Sequence, residues 1–159
     1  METRSDTLAA GLEQAVAEYL GVVGGLSQAA WGTLCPNEER TVAVLTRHVA
    51  EGIPFEMAVF RAIATGERPE TITRAWLDAL NAGHAAAWAE CDQAATLALL
   101  RANAAAAADE VRGWSDAHLA RTGKYIEDLP EPWTVEQWVA RVLTGHVTSH
   151  LASIRAALG

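Results

Sequence analysis

Apolar residues recur three and four positions apart over most of the chain, the period of an amphipathic helix rather than of a strand. The first such run carries Leu8, Leu12, Val16 and Leu20 behind a capping Ser5, and Gly21, Gly24 and Gly25 mark its end. Leu26 to Asn37 contains Trp31, Gly32 and Pro36 and reads as a connection, with one short helical turn from Ser27 to Trp31. Asn37 suits an N-cap, followed by Glu38 and Glu39 where negative charge complements the helix dipole. The second helix so begun turns Leu45, His48, Phe55 and Val59 to one side, and Pro54, lacking an amide donor, predicts a bend or break near Gly52. Gly66 and Pro69 mark the next loop.

Helical spacing resumes from Thr71 with Trp76, Leu80 and Trp88, and a break is expected near Cys91 and Asp92. The Ala-rich stretch from Ala94 to Val111, with its run Ala104 to Ala108, suits a helix packed closely against neighbours. Ser115 to Arg121 predicts a short capped helix, and GKYIEDLPEP, with two prolines, a loop. Thr134 and Gln137 form a capping-box pattern that opens the last helix at Val135. Running to about Leu158, it spans about 36 Å at about 1.5 Å per residue. Half the residues are apolar and only five are proline, so the fold class is all-α: an antiparallel helical bundle, with residues 1–159 forming one domain.

Charge narrows the partners. A formal charge of −8 supplies no basic stripe for phosphates, so no nucleic-acid partner is expected. No apolar run approaches the roughly 20 residues that span a bilayer, and METRSDTLAAGLEQ does not read as a secretory signal. Cys35 and Cys91 lie outside any CxxC pattern, which fits a reducing cytoplasm. A small-molecule substrate remains as the expected partner.

The last helix reads WTVEQWVARVLTGHVTSHLASIRAAL, and its inward stripe runs through Val135, Val139, Val142, His146, His150 and Ile154. Residues four apart on a helix have Cβ atoms about 6 Å apart, so both imidazoles can reach one ion at about 2.0 to 2.1 Å. His48, inward on the second helix, offers a third ligand. Three neutral imidazoles buried together would otherwise need separate partners, backbone carbonyls or water, and charging them is opposed by repulsion and desolvation. With three protein ligands a divalent ion keeps an open position, the condition for catalysis. Imidazoles suit zinc, nickel or iron. Glu51, three residues after His48, is the candidate catalytic carboxylate, either orienting an imidazole or taking a proton. His84 and His118 read as structural or solvated, and the chain has neither an HExxH motif nor paired ExxH motifs.

At these residues the sequence resembles the DinB/YfiT-like superfamily, which includes the metal-binding N-terminal domain of mycothiol-dependent maleylpyruvate isomerase. The likeness spans nearly the whole chain: the first helix, the Trp31 to Pro36 connection, RHVAEG, LDALNAGHAAAWAE and WTVEQWVARVLTGHVTSH. It implies an up-down-down-up four-helix bundle in which His48, His146 and His150 bind one divalent metal ion. It also implies a homodimer and transfer or isomerisation chemistry with a low-molecular-weight thiol. Because the chain stops at Gly159, soon after the HxxxH helix, the isomerase reaction itself is not expected. The leading expectation is therefore a metal-dependent thiol transferase. The alternatives are a hydrolase using metal-activated water, a non-catalytic metal- or ligand-binding bundle, and a metal-free helical dimer.

Overall fold

The computed structural model of the chain describes residues 3–128 and 132–159, so Pro130 of the expected loop lies outside the described residues. Four long helical elements carry the core: α1 (Arg4–Val23), α3 (Val42–Thr65), α5 (Gln93–Arg112), and a final element made of α7 (Val135–Trp138), a π-helical turn (Val139–Leu143) and α8 (Thr144–Leu158). Short helices α2 (Gln28–Trp31) and α6 (Asp116–Leu119) and the longer α4 (Arg74–Ala87) fill the connections. Two antiparallel ribbons, β1 (Leu34–Cys35) with β2 (Arg40–Thr41) and β3 (Thr122–Gly123) with β4 (Trp133–Thr134), pin the chain just before α3 and α7.

Helix directions follow from the pairings between elements. Arg112 at the end of α5 bonds Glu13 and Ser5 near the start of α1, while Gln93 at the start of α5 reaches Val23 and Leu26, so α1 and α5 are antiparallel. Cys91 meets Ala43, Asn103 meets Ala50 and Arg61 meets Glu110, so α3 and α5 run parallel. Arg4 pairs with Glu136 and Arg155 with Glu18, so the last element runs parallel to α1. The order is up-down-down-up. Ala104, Ala107 and Ala108 are buried, and their small side chains let α5 pack closely against α1 and α3.

Local differences from the sequence expectation have physical causes. Helix α1 is capped by Thr3, which exchanges hydrogen bonds with Asp6, while Ser5 is buried in the first turn. The second long helix does not begin after Asn37: the β1–β2 ribbon occupies that segment, Glu39 has a φ of 54°, and Thr41 caps α3 by accepting from the Val44 amide. Helix α3 continues through Pro54 without a break. Proline at 54 leaves the Ala50 carbonyl without its amide donor, and Asn103 Nδ2 donates to that carbonyl at 2.8 Å from α5. In the last element the π turn inserts extra arc, so the fully buried stripe becomes Leu143, Val147, Leu151 and Ile154, with His146 and His150 half-buried beside it.

Helix α4 stands apart. Thr73 caps it and Gly66, with φ of 88°, ends α3 ahead of it, yet α4 contributes no fully buried residue. Trp76 and Leu80 remain 48% and 44% exposed, so its apolar stripe is not spent on the core. Among the described residues no helix is long and apolar enough to cross a membrane.

Candidate metal centre

Helices α3 and α8 bring His48, His146 and His150 to one place. One nitrogen from each ring lies within 4.8 Å of the others, and His146 Nε2 is 2.9 Å from His48 Nε2. The rings meet edge to face with centroids 4.8 to 5.2 Å apart. Three nitrogens about 2.0 to 2.1 Å from a tetrahedral ion stand about 3.3 Å from one another, so small rotations of these rings suffice to hold one. The Nε2 atoms of His48 and His146 face each other, so two lone pairs directed at one point could be shared by a single ion.

Carboxylates stand behind the two HxxxH rings. Glu38 Oε1 accepts hydrogen bonds from His150 Nδ1 and Ser153 Oγ, both at 2.9 Å. That bond places the His150 proton on Nδ1 and leaves Nε2 with its lone pair. Glu56, two turns after His48 on α3, holds Oε1 2.9 Å from His146 Nδ1, close but not aligned as a hydrogen bond, and its buried Oε2 has no partner. Gly52 lies between: a Cβ there would stand 2.6 Å from His146 Cε1, so the ring rests directly on the α3 backbone.

Electrostatics favour the neutral form of His48 and His150. Burial, then the neighbouring His146 and His150, pushes His48 down to about 2. Burial and His146 push His150 down to about 4 against the opposing pull of Glu38. Burial would raise the Glu38 carboxyl, but His150, Ser153 and Arg40 together outweigh it and hold it below its usual range. Neutral imidazole is the form that binds a metal, so near neutral pH His48 and His150 need lose no charge first.

The three rings open onto a cavity of about 660 Å³. Phe55, Leu77, Leu80, Ile126 and Val142 make its apolar walls, and Tyr125, Asn81, Ser149, Arg40 and Arg141 add polar groups. Glu51 is in the wall with both oxygens engaged: Arg47 Nε donates to Oε1 at 2.7 Å, and His84 Nε2 is 2.9 Å from Oε2. Arg47 is itself stacked over Trp88 at 3.7 Å. His84, expected to be structural or solvated, is instead a cavity residue, because the inner face of α4 (Leu77, Leu80, Asn81, His84) borders the open space. His118 accepts from the Ser115 amide as a helix cap, in line with its structural reading.

Sequence reasoning missed Glu38, Glu56, Gly52 and His84 as site residues. A signal existed for two of them, since His48, Gly52 and Glu56 repeat every four residues on one face of α3. Glu38 carried none, for it reaches His150 from the β1–β2 turn across 112 positions of sequence.

Three half-buried imidazoles with carboxylates beside two of them, opening onto a cavity, can hold a divalent ion beside a bound small molecule. The solved structure of YfiT from Bacillus subtilis, described as a probable metal-dependent hydrolase with an unusual four-helix bundle topology, matches this chain with a TM-score of 0.72. The match is 21% identical in sequence and covers 96% of this chain and 85% of YfiT, a likeness of fold. No curated protein matches the chain in sequence. The sequence profile of the DinB superfamily matches residues 11–154, and the chain belongs to that superfamily.

Proposed function

We propose that this protein is a metal-dependent hydrolase acting on a small molecule held in the cavity, with His48, His146 and His150 as the metal ligands. The observation that carries the reading is the convergence of three ring nitrogens within 4.8 Å at a cavity wall. A divalent ion held by these three histidines would supply Lewis acidity toward a substrate carbonyl or phosphoryl group and would lower the pKa of water. The protein's own part is positioning. Glu38 holds the His150 ring through Nδ1, Glu56 stands 2.9 Å from His146 Nδ1, and Glu51 is tied to Arg47 and His84 in the wall. Phe55, Leu80 and Val142 offer apolar contact to the body of a substrate and exclude water around its reacting end.

Transfer of a low-molecular-weight thiol, the activity that the family resemblance implies, would use the same centre. Hydrolysis takes precedence because the structural neighbour is described as a hydrolase and because it asks for no second cofactor in the cavity. Zinc, nickel and iron all suit the donor set. The resemblance also supports a homodimer.

The test begins with elemental analysis of protein purified without a histidine tag. About one first-row ion per chain is expected, falling sharply in His48→Ala and His146→Ala; less than about 0.1 per chain after growth with several divalent ions removes the metal reading. Loaded protein is then assayed on ester, amide and phosphoester panels with and without a chelator. Chelator-sensitive hydrolysis supports the proposal, whereas turnover that appears only when a thiol is added replaces it with thiol transfer.

A further inference from the structure

One face of the last helical element carries more than two metal ligands. Arg141, Val142, Gly145, His146, Ser149 and His150 all border the cavity, so two rows of residues four apart run side by side along its wall. Val142, His146 and His150 make one row. Arg141, Gly145 and Ser149 make the other.

Packing does not call for glycine at position 145. The residue lies inside α8, its φ is not positive, and a Cβ added there would meet nothing within 4 Å. Glycine in that place weakens the helix relative to alanine. Gly11, Gly21 and Gly83 have the same open surroundings but are exposed to solvent, whereas Gly145 is half-buried and borders the cavity. What its missing side chain leaves is room, directly beside His146.

Charge marks the near end of that room. Among the charged side chains around the cavity, Arg40 is paired with Glu38, Glu51 with Arg47 and His84, and Glu56 stands 2.9 Å from His146 Nδ1. Arg141 pairs with no carboxylate among the described residues. Its guanidinium carbon lies 5.4 Å from the Trp133 ring centroid, a contact that uses the charge and none of the N–H donors. A cation so placed, one helical turn before Gly145 in a chain of formal charge −8, draws an anion to this wall.

We propose that the cavity takes a small molecule with a carboxylate at one end: Arg141 binds the carboxylate, a short apolar body lies over Gly145 against Phe55 and Val142, and the reacting group faces the three histidines. One cation without a protein partner matches the single charge of a carboxylate better than the nearly double charge of a phosphate monoester. Five residues separate Arg141 from His146, about 7 Å along the helix at about 1.5 Å per residue, so the body between the two ends is a chain of a few carbons. The position of the reacting group rests on the hydrolase reading; the carboxylate seat rests on Arg141 and Gly145.

The experiment titrates full-length protein in excess chelator with hexanoate and with hexanamide, its neutral match in size, and follows amide NMR shifts. The wild type should bind hexanoate about 3- to 10-fold more tightly than hexanamide, and Arg141→Gln should bind the two within about twofold of each other. Gly145→Leu should weaken both probes about 10-fold with unchanged urea stability, and Gly145→Ala, with a smaller loss, serves should the leucine disturb the fold. Hexanoate that fails to bind, equal binding of the two probes by the wild type, or a preference that survives in Arg141→Gln overturns the carboxylate seat. Wild-type affinity in both Gly145 variants overturns the role of Gly145. Orientation is read in cobalt-loaded protein from the visible absorption of the ion. The monohydroxamate of adipic acid, a chelator at one end and a carboxylate at the other, should bind about 3- to 10-fold more tightly than hexanohydroxamate, and equal affinities overturn that orientation. A wild type that keeps its preference for hexanoate but takes up no cobalt upholds the carboxylate seat and overturns the metal reading instead.

Discussion

Replacing Gly52 with alanine separates the site from the fold that carries it. The new Cβ would stand 2.6 Å from His146 Cε1 and 3.2 Å from Nδ1, against about 3.5 to 4.0 Å for comfortable contact, so the ring must retreat by about 1 Å. The α3 backbone is held by buried Val49, Ile53 and Met57 and does not yield, whereas the imidazole has an open cavity to swing into. Alanine in a helix is otherwise favoured over glycine by about 0.5 to 1 kcal/mol. The metal-free protein should therefore unfold within about 1 kcal/mol of the wild type, and even gain stability if the ring moves freely. Metal affinity should fall about 10- to 100-fold, the scale on which groups that orient a ligand act. Competition with a chromophoric chelator measures the affinity, and urea unfolding in excess chelator measures the stability. Carrying Gly52→Ala into a His146→Ala background closes a double-mutant cycle, in which the alanine should have no further effect on metal binding. Affinity within about twofold of the wild type would refute the claim that the His146 ring rests on α3.

Glu56→Gln should lower metal affinity about 10- to 100-fold and move the His146 ring nitrogen shifts, because the carboxylate 2.9 Å from Nδ1 becomes a neutral amide; unchanged shifts and affinity would show that Glu56 does not act on the ring. Asn103→Ala should destabilise the protein by about 1 to 3 kcal/mol in urea unfolding, because the Ala50 carbonyl opposite Pro54 loses its donor. The same change should cost less in a Pro54→Ala background, where a backbone amide is restored, and equal costs would rule out that coupling. Stability of the metal-free protein should fall on acidification below about pH 6.5. The unfolded chain protonates His48 and His150 near 6.5, whereas the folded chain holds them neutral down to about 2 and about 4, so protons favour unfolding. Each contributes up to about 1.4 kcal/mol per pH unit in that window. A urea midpoint that does not move between pH 7 and 5.5, before carboxylates titrate, would contradict the burial of those rings.

The period of the apolar residues was enough to place the long helices, although the caps expected at Ser5 and Asn37 are Thr3 and Thr41. Thr134 with Gln137 opens α7, the short turn from Ser27 to Trp31 contains α2, the break near Cys91 and Asp92 precedes α5, and the alanine run packs where close approach is needed. His48, His146 and His150 were legible for the same reason: helical spacing is local, and a helix face can be read from one segment at a time. What the sequence could not supply was contact between segments. The start of α3 moved from Asn37 to Thr41 because Glu38 and Arg40 belong to a ribbon, and that ribbon is what delivers Glu38 to His150. Pro54 did not break its helix because Asn103, far along the chain, satisfies the carbonyl that proline leaves open. His84 acquired a place in the site only when α4 was laid across the cavity and Glu51 bound its ring. Periodicity thus determined which residues could share a face. Tertiary packing alone decided which faces meet, because the donors and acceptors that complete this site come from elements whose spacing along the chain has no regular relation to their spacing in space.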